Sequence, residues 1–170
     1  MFRKFRLSLT VLWSLALVAT GCTTASRVAQ HKQVVRRAHE QVWSKGNLAL
    51  VEELYAPDFV CHFVIGPEWR GHSGVEEQVR ELRAAFPDWN ERVVRLVAED
   101  DFVVSHFVST GTNDGEFHGD PPTGRRVRID EVAICRMQDG KIAEQWGMPD
   151  VLGMERQLRG KAEGQWPGPR

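Results

Sequence analysis

The chain has 170 residues, enough for one ordinary domain with a single hydrophobic core. Hydrophobic residues make up 42% of it and charged residues 26%, proportions that exclude an intrinsically disordered chain. The formal net charge is −1, and basic residues are not gathered into a stripe, so nucleic acid is not an expected partner.

The N-terminus has the pattern of a cleavable bacterial lipoprotein signal. Three basic residues within the first six precede an apolar run at 7–18, which is shorter than the about 20 residues of a membrane span. Small residues then lead to Cys22, as in a signal whose cysteine becomes lipidated. The alternatives are an ordinary signal peptide and a short membrane anchor. We predict a signal at 1–21, a tether at 22–30 and anchorage at Cys22 on the extracytoplasmic face of a bacterial envelope membrane.

Helical patterns dominate the first half of the remaining chain. Residues 31–43 repeat apolar side chains at helical spacing, and a short second helix runs from Leu48 until Pro57 ends it. Ser73 and Glu76 form a capping-box pattern, which predicts the start of a third helix. Its apolar face is expected to pack on a sheet and is formed by Val75, Val79, Leu82 and Phe86.

Strand patterns dominate the second half. Alternating or β-rich segments predict five strands, at 59–64, 91–98, 102–110, 126–137 and 141–146. The last two are joined by a hairpin turn at Asp139-Gly140. A final helix is predicted at 150–158 and a flexible tail at 159–170. This order predicts an α+β fold, with helices packed on a strongly curved, mostly antiparallel sheet that encloses a cavity.

Two cysteines lie within predicted strands, Cys61 and Cys135. An oxidising compartment would permit a disulfide between them. Buried free thiols are favoured, because the sequence does not place the two within bonding distance.

Four segments resemble one protein family when they are taken in order and spacing: residues 47–62, 84–88, 115–125 and 136–153. They are similar to the SnoaL-like polyketide cyclases, or ester cyclases, of the nuclear-transport-factor-2-like superfamily. The resemblance extends over 31–158. It implies a cone-shaped α+β domain, often a homodimer, that closes a ring in a small molecule by an intramolecular aldol reaction. It also implies that neither a metal nor a cofactor is needed.

The chain departs from this family at the proton donor. The resemblance places the family's aspartate three residues before Arg136, where this chain has Ala133. The family's frequent histidine on the last strand is replaced by Gln145. Glu131 shares the strand face of Ala133 by alternation, so we predict Glu131 as a replacement acid. The alternative is that Glu131 lies on a solvated or dimer-facing part of the sheet.

Other candidate site residues follow from family positions. His62, at a frequent family histidine on the first strand, is predicted to orient a ligand or transfer a proton, although a hydrogen-bonded core histidine is an equal alternative. The cavity is predicted to bind a ligand through Trp146, Trp89, His118 and Glu144. Core packing is the alternative for the tryptophans. No metal is expected, because metal-ligand spacing is lacking among His62, His106 and His118.

Two classes of function therefore remain open. The first is a cofactor-independent cyclase, isomerase or lyase that acts on a small carbonyl-containing molecule. The second is an envelope lipoprotein that binds an apolar ligand or a partner and catalyses nothing. The resemblance favours the first class, whereas Ala133 and the envelope location favour the second.

Overall fold

The computed structural model describes residues 25–63, 66 and 68–160. The predicted signal at 1–21, the lipidation site Cys22 and residues 161–170 of the predicted tail lie outside the described residues. Within the described part of the chain, every helix is too short or too polar to cross a membrane.

The first helix, α1, is α-helical over 25–37 and π-helical over Ala38–Trp43. It begins before the predicted start at 31, so residues 25–30, predicted as part of the tether, are helical. Its buried face carries Val35, Ala38 and Val42, as the periodicity predicts. The backbone then leaves the helix at Gly46, which has a φ of 68°.

A 3₁₀ turn at Leu48–Leu50 and the short helix α2, Val51–Leu54, lead into the first strand, β1, Tyr55–Phe63. This strand begins four residues earlier than predicted and contains the proline expected to precede it. Pro57 is tolerated because the pairing of β1 is interrupted between Tyr55 and Val60, where no ladder hydrogen bond is needed.

The short strand β2, Trp69–Arg70, is followed by the helix α3, Gly71–Ala85. The predicted capping box is wrong, because α3 begins two residues before Ser73 and no side chain caps its start. The predicted apolar face is confirmed by Val75 and Val79, which belong to the core.

Four long strands and one helix complete the domain: β3, Asn90–Glu99; β4, Phe102–Thr112; β5, Arg126–Gln138; β6, Lys141–Pro149; and α4, Val151–Leu158. The predicted hairpin between β5 and β6 is present. Asp139 and Gly140 both have positive φ, at 50° and 75°, as the tight turn requires. The carboxylate of Asp150 caps α4 by accepting a hydrogen bond from the Gly153 amide at 2.9 Å.

The strands form one sheet in the order β2-β1-β6-β5-β4-β3, in which only β1 and β6 pair in parallel. We call the side covered by α1 and α3 the inner face; along β4 it carries Val103, Ser105 and Phe107. The opposite side is the outer face. Cys61 and Cys135 are buried free thiols, as favoured from the sequence. The α+β fold with a mostly antiparallel sheet is confirmed.

Candidate active site

A buried chain of three polar side chains connects α1 with the inner face of the sheet. The π-helical part of α1 places His39 with Nδ1 at 2.5 Å from Glu91 Oε2 and Nε2 at 3.1 Å from Ser105 Oγ. The exposed fraction is 6% for His39, 7% for Glu91 and 0% for Ser105. Because both ring nitrogens are engaged by different strands, the imidazole has one fixed orientation.

The carboxylate of Glu91 is itself held on every side. Its second oxygen, Oε1, accepts a hydrogen bond from Trp89 Nε1 at 3.2 Å. Its backbone amide donates to Ser44 Oγ at 2.8 Å, and that hydroxyl lies 2.8 Å from the carbonyl oxygen of His39. Trp89, predicted to bind a ligand, is buried against Phe86, and its indole N–H orients Glu91.

Glu131 lies on the inner face, as strand alternation predicts. It pairs in register with Phe107, whose ring lies against the His39 ring with centroids 4.1 Å apart. Its Oε1 atom is buried and makes no hydrogen bond with the described residues; the Ser109 hydroxyl is near but outside hydrogen-bonding geometry. Burial, followed by the negative charge of Glu91, raises the pKa of Glu131 to about 8. The group is therefore a neutral carboxylic acid at pH 7 and can donate a proton.

The position of the family's acid is filled by a methyl group. Ala133 is buried on the inner face, and its register partner on β4 is Ser105. Directly paired residues on neighbouring antiparallel strands bring their side chains within about 5 Å of each other. The Ser105 hydroxyl is thus the nearest polar side-chain group on β4 to the position left without a carboxylate.

The structure corrects the predicted placement of His62, Trp146 and Glu144. His62 pairs with Trp146 in the parallel ladder, and its ring stacks on the indole at a centroid distance of 5.3 Å. The neighbouring position, Cys61, points into the core, so all three corrected residues lie on the outer face. His62 and Glu131 therefore lie on opposite faces of the sheet.

On the outer face, His62 is part of a charged network. Its Nε2 lies 2.8 Å from Glu144 Oε1, and its Nδ1 lies 2.8 Å from Glu68 Oε1. Arg136 Nε donates to the other oxygen of Glu144 at 2.9 Å. The hydrogen bond to Glu144 raises the pKa of His62, and the same bond lowers the pKa of Glu144.

His118 is also separate from the inner cluster. It lies in the exposed loop between β4 and β5 with a φ of 52°, and its ring stacks on Phe117 at 4.0 Å. His106 projects from the outer face, where its Nε2 is 3.0 Å from Asp130 Oδ1. Of the predicted site residues, only Glu131 and Trp89 lie near the buried chain.

Sequence reasoning missed His39, Glu91 and Ser105. Each is a polar residue within an apolar pattern. His39 lies between Val35 and Val42 on the buried face of a helix, and Ser105 alternates with core residues of β4. That interruption is a usable signal, because a buried polar side chain must find a partner. The identity of the partner is set by tertiary contact.

The chain belongs to the SnoaL-like polyketide cyclase family, whose sequence model matches residues 33–158. It is 37% identical over 112 residues to nogalonic acid methyl ester cyclase from Streptomyces nogalater, covering 64% of this chain and 82% of that one. It is 32% identical over 94 residues to aklanonic acid methyl ester cyclase DnrD from Streptomyces peucetius, covering 54% and 64% of the two chains.

Solved structures agree with this assignment. A SnoaL-like protein from Jannaschia sp. CCS1 superposes with a TM-score of 0.72 at 25% identity, covering 79% of this chain and 94% of that one. IdmH from Streptomyces antibioticus superposes with a TM-score of 0.67 at 30% identity, covering 76% and 99%. The buried polar cluster therefore lies within a fold that relatives use for ring closure.

Proposed function

We propose that this protein is a cofactor-independent cyclase that closes a ring in a small carbonyl-containing molecule on the inner face of its sheet, with Glu131 as the proton donor. The observation that carries the proposal is the Glu131 carboxyl, which has one buried oxygen without a hydrogen bond to the described residues and a pKa raised to about 8. Similarity to nogalonic acid methyl ester cyclase and aklanonic acid methyl ester cyclase supports a methyl ester of this kind as the substrate.

The chemistry required is an intramolecular aldol reaction. A carbon between two carbonyl groups loses a proton, the resulting enolate carbon bonds to a ketone carbon of the same molecule, and the ketone oxygen accepts a proton. Glu131 supplies that last proton and becomes a carboxylate. The reaction also requires that the flexible substrate be held folded, so that the two carbons meet, and that competing water be excluded.

The test is turnover of nogalonic acid methyl ester, with the ring-closed product measured by chromatography. Glu131→Gln should lower kcat about 100-fold, the usual effect of losing a general acid, with KM nearly unchanged because glutamine keeps the size of the side chain. Glu144→Gln makes the same change on the outer face and should leave turnover within about twofold. A wild-type protein that does not close this ring, or a Glu131→Gln variant that closes it at the wild-type rate, contradicts the proposal.

Ala133 favours a second candidate, a protein that binds an apolar or carbonyl-containing ligand without turnover. A methyl group stands where the family resemblance places an acid. Under this candidate, the wild type binds nogalonic acid methyl ester but returns it unchanged. The Ala133→Asp variant distinguishes two origins of a non-catalytic protein. A cyclase that lost only its acid regains measurable ring closure, whereas an inner face reshaped for another ligand does not.

We further propose that the protein is lipid-anchored at Cys22 to a bacterial envelope membrane. The positive head, short apolar run and small residues before Cys22 support the anchor. Cys22→Ser should abolish labelling by a radioactive fatty acid and move the protein from the membrane fraction to the soluble fraction. Equal membrane retention of the wild type and Cys22→Ser contradicts the anchor.

A homodimer through the outer face is also proposed. Apolar side chains exposed on this face support it: Val97 at 56%, Phe102 at 44% and Met148 at 39%. Phe102→Glu should convert a dimer to a monomer in sedimentation equilibrium. A wild-type protein that is monomeric at micromolar concentration contradicts this assignment.

A further inference from the structure

The proposed donor, Glu131, accounts for only half of the proton transfers in an aldol reaction. The other half is removal of a proton from carbon, which needs a group that accepts a proton at neutral pH. Glu131 cannot serve, because it is protonated at the start of the reaction. Any such base must lie on the inner face within reach of the same substrate.

We infer that Ser105 and His39 together form that base: the Ser105 hydroxyl takes the proton from substrate carbon as it passes its own proton to His39, and Glu91 positions His39. This inference rests on the proposed cyclase function. The three groups are joined by hydrogen bonds of 3.1 Å and 2.5 Å. They form a continuous buried chain from Ser105 on β4 to the Glu91 carboxylate.

The relay requires one tautomer of His39. A carboxylate only accepts, so in that tautomer the ring proton is on Nδ1 and is donated to Glu91. Nε2 then carries a lone pair and accepts from the Ser105 hydroxyl at 3.1 Å. Because Trp89 occupies the other oxygen of Glu91 and Ser44 holds its backbone, the carboxylate cannot turn away from the ring.

The proton balance closes without a co-reactant. The substrate carbon gives a proton to Ser105 Oγ, and the Ser105 proton moves to His39 Nε2, so that an imidazolium forms beside the Glu91 carboxylate. The enolate carbon then bonds to the ketone carbon, and the ketone oxygen takes the proton of Glu131. Transfer of a proton from the His39 imidazolium to the Glu131 carboxylate restores both groups.

Base and acid lie on one face at a suitable separation. Ser105 is the register partner of Ala133. Glu131 lies two residues before Ala133 on the same strand. Two residues along a strand correspond to about 7 Å. A folded substrate that spans this distance would contact the hydroxyl at one end and the carboxylic acid at the other, with the small Ala133 side chain between them.

The helix that supplies His39 has a feature consistent with function. Ala38–Trp43 is π-helical, a rare geometry that occurs mostly as single turns at functional sites. Ser105 has no exposed surface, so a substrate contacts its hydroxyl only after the side chains that cover it on the inner face rearrange, with the His39–Ser105 hydrogen bond kept.

Deuterium exchange measures removal of the proton from carbon independently of ring closure. Methyl 3-oxopentanoate has two protons on the carbon between its carbonyl groups, and their exchange in D₂O is followed by NMR above the rate in buffer alone. Ser105→Ala and His39→Gln should each reduce the protein-dependent exchange rate about 100-fold. Glu131→Gln should lower ring closure of nogalonic acid methyl ester more than it lowers exchange.

Two further variants distinguish catalysis from structure. Ser109→Ala removes a second buried hydroxyl from the same face of β4. It is the control that measures how far the exchange rate falls when any buried serine on this face is replaced by alanine. Glu91→Gln should lower the exchange rate without raising KM, since it acts through His39. The ¹⁵N NMR spectrum of the His39 imidazole in this variant should also lose the Nδ1–H tautomer that the inference requires in the wild type.

The outcomes distinguish this inference from the proposed function. Exchange that is equally fast in the wild type and Ser105→Ala overturns the inference and leaves the proposed function standing. Wild-type protein that does not accelerate exchange also overturns the inference. Exchange that depends on Ser105 in a protein that closes no ring supports the base and contradicts the cyclase.

Discussion

A histidine lies against each face of the sheet, bonded to a carboxylate and packed on an aromatic ring, but the two histidines differ in their exposure to water. On the inner face, the buried His39 bonds to Glu91 and lies against Phe107. On the outer face, the partly exposed His62 bonds to Glu144 and stacks on Trp146. Water competes with the outer hydrogen bonds and salt screens them, whereas neither reaches the inner pair. Residue type alone therefore does not locate the site; burial does.

The carboxyl groups show the same contrast. Burial raises the pKa of Glu131 on the inner face. Hydrogen bonds from His62 and then Arg136 lower the pKa of Glu144 on the outer face. One face thus keeps a carboxylic acid neutral at pH 7, and the other keeps a carboxylate ionised. Donation of a proton to a substrate is chemistry that only the inner of these two groups can perform.

The largest expected effect on stability comes from placing a negative charge on the inner face, compared with the same charge on the outer face. Val79→Asp would bury an unpaired carboxylate between α3 and the inner face, where the side chain is 1% exposed. We expect a loss of at least about 3 kcal/mol in the free energy of unfolding, measured by urea denaturation. Val97→Asp makes the same change at an exposed position of β3 and, at a concentration at which the protein is monomeric, should stay within about 0.5 kcal/mol of the wild type. Similar losses in the two variants would mean that α3 does not cover the inner face.

Removal of the histidines compares the two networks directly. His39→Ala leaves the buried Glu91 carboxylate without its short hydrogen bond and opens a cavity beside Phe107. We expect a loss of about 3 kcal/mol in the free energy of unfolding. His62→Ala should cost clearly less, because water replaces its partners on the outer face. A larger loss for His62→Ala would show that the outer network stabilises the fold more than the buried one does.

Much of the fold that separates the two faces could be predicted from the sequence. The predictions that failed did so for physical reasons. Periodicity predicted the helix faces, five of the strands and the Asp139-Gly140 turn, since these depend on local spacing. The faces of His62 and Trp146 depend on the phase of β1 against β6. The parallel register of these strands is set by tertiary packing between residues such as His62 and Glu144, which are 82 positions apart in the sequence.

The buried site was harder to predict for a related reason. His39 lies 52 positions from Glu91 and 66 from Ser105, so their meeting is a property of the tertiary fold. Glu131 was predicted because strand alternation relative to Ala133 is a local rule.

A further comparison concerns the pH dependence of stability on the inner face. The pKa of Glu131 is about 8 in the folded protein, above the 4.5 of the free side chain. The folded state therefore binds more protons than the unfolded state between these values, and the stability must fall as the pH rises from about 5 to 8. In Glu131→Gln this fall should largely disappear from unfolding curves recorded across that range. A wild-type stability that rises over the same range contradicts the neutral buried acid.

The smallest expected effect is the pH dependence of stability that His62 contributes on the outer face. The hydrogen bond to Glu144 raises the pKa of His62, so its ion pairs contribute stability that is fully present below the unfolded value of 6.5. That contribution is lost as the pH rises through the higher folded pKa. His62→Gln should therefore lower stability slightly at pH 5.5 and change it little at pH 9, and 0.5 M salt should shrink the difference at the lower pH. Both faces thus lose stability as the pH rises, but only the outer loss is sensitive to salt. The contrary outcome is that salt suppresses the Glu131-dependent loss of stability as strongly as the His62-dependent loss. That result would mean that the two faces do not differ in solvent access, and it would contradict proton donation from the inner face.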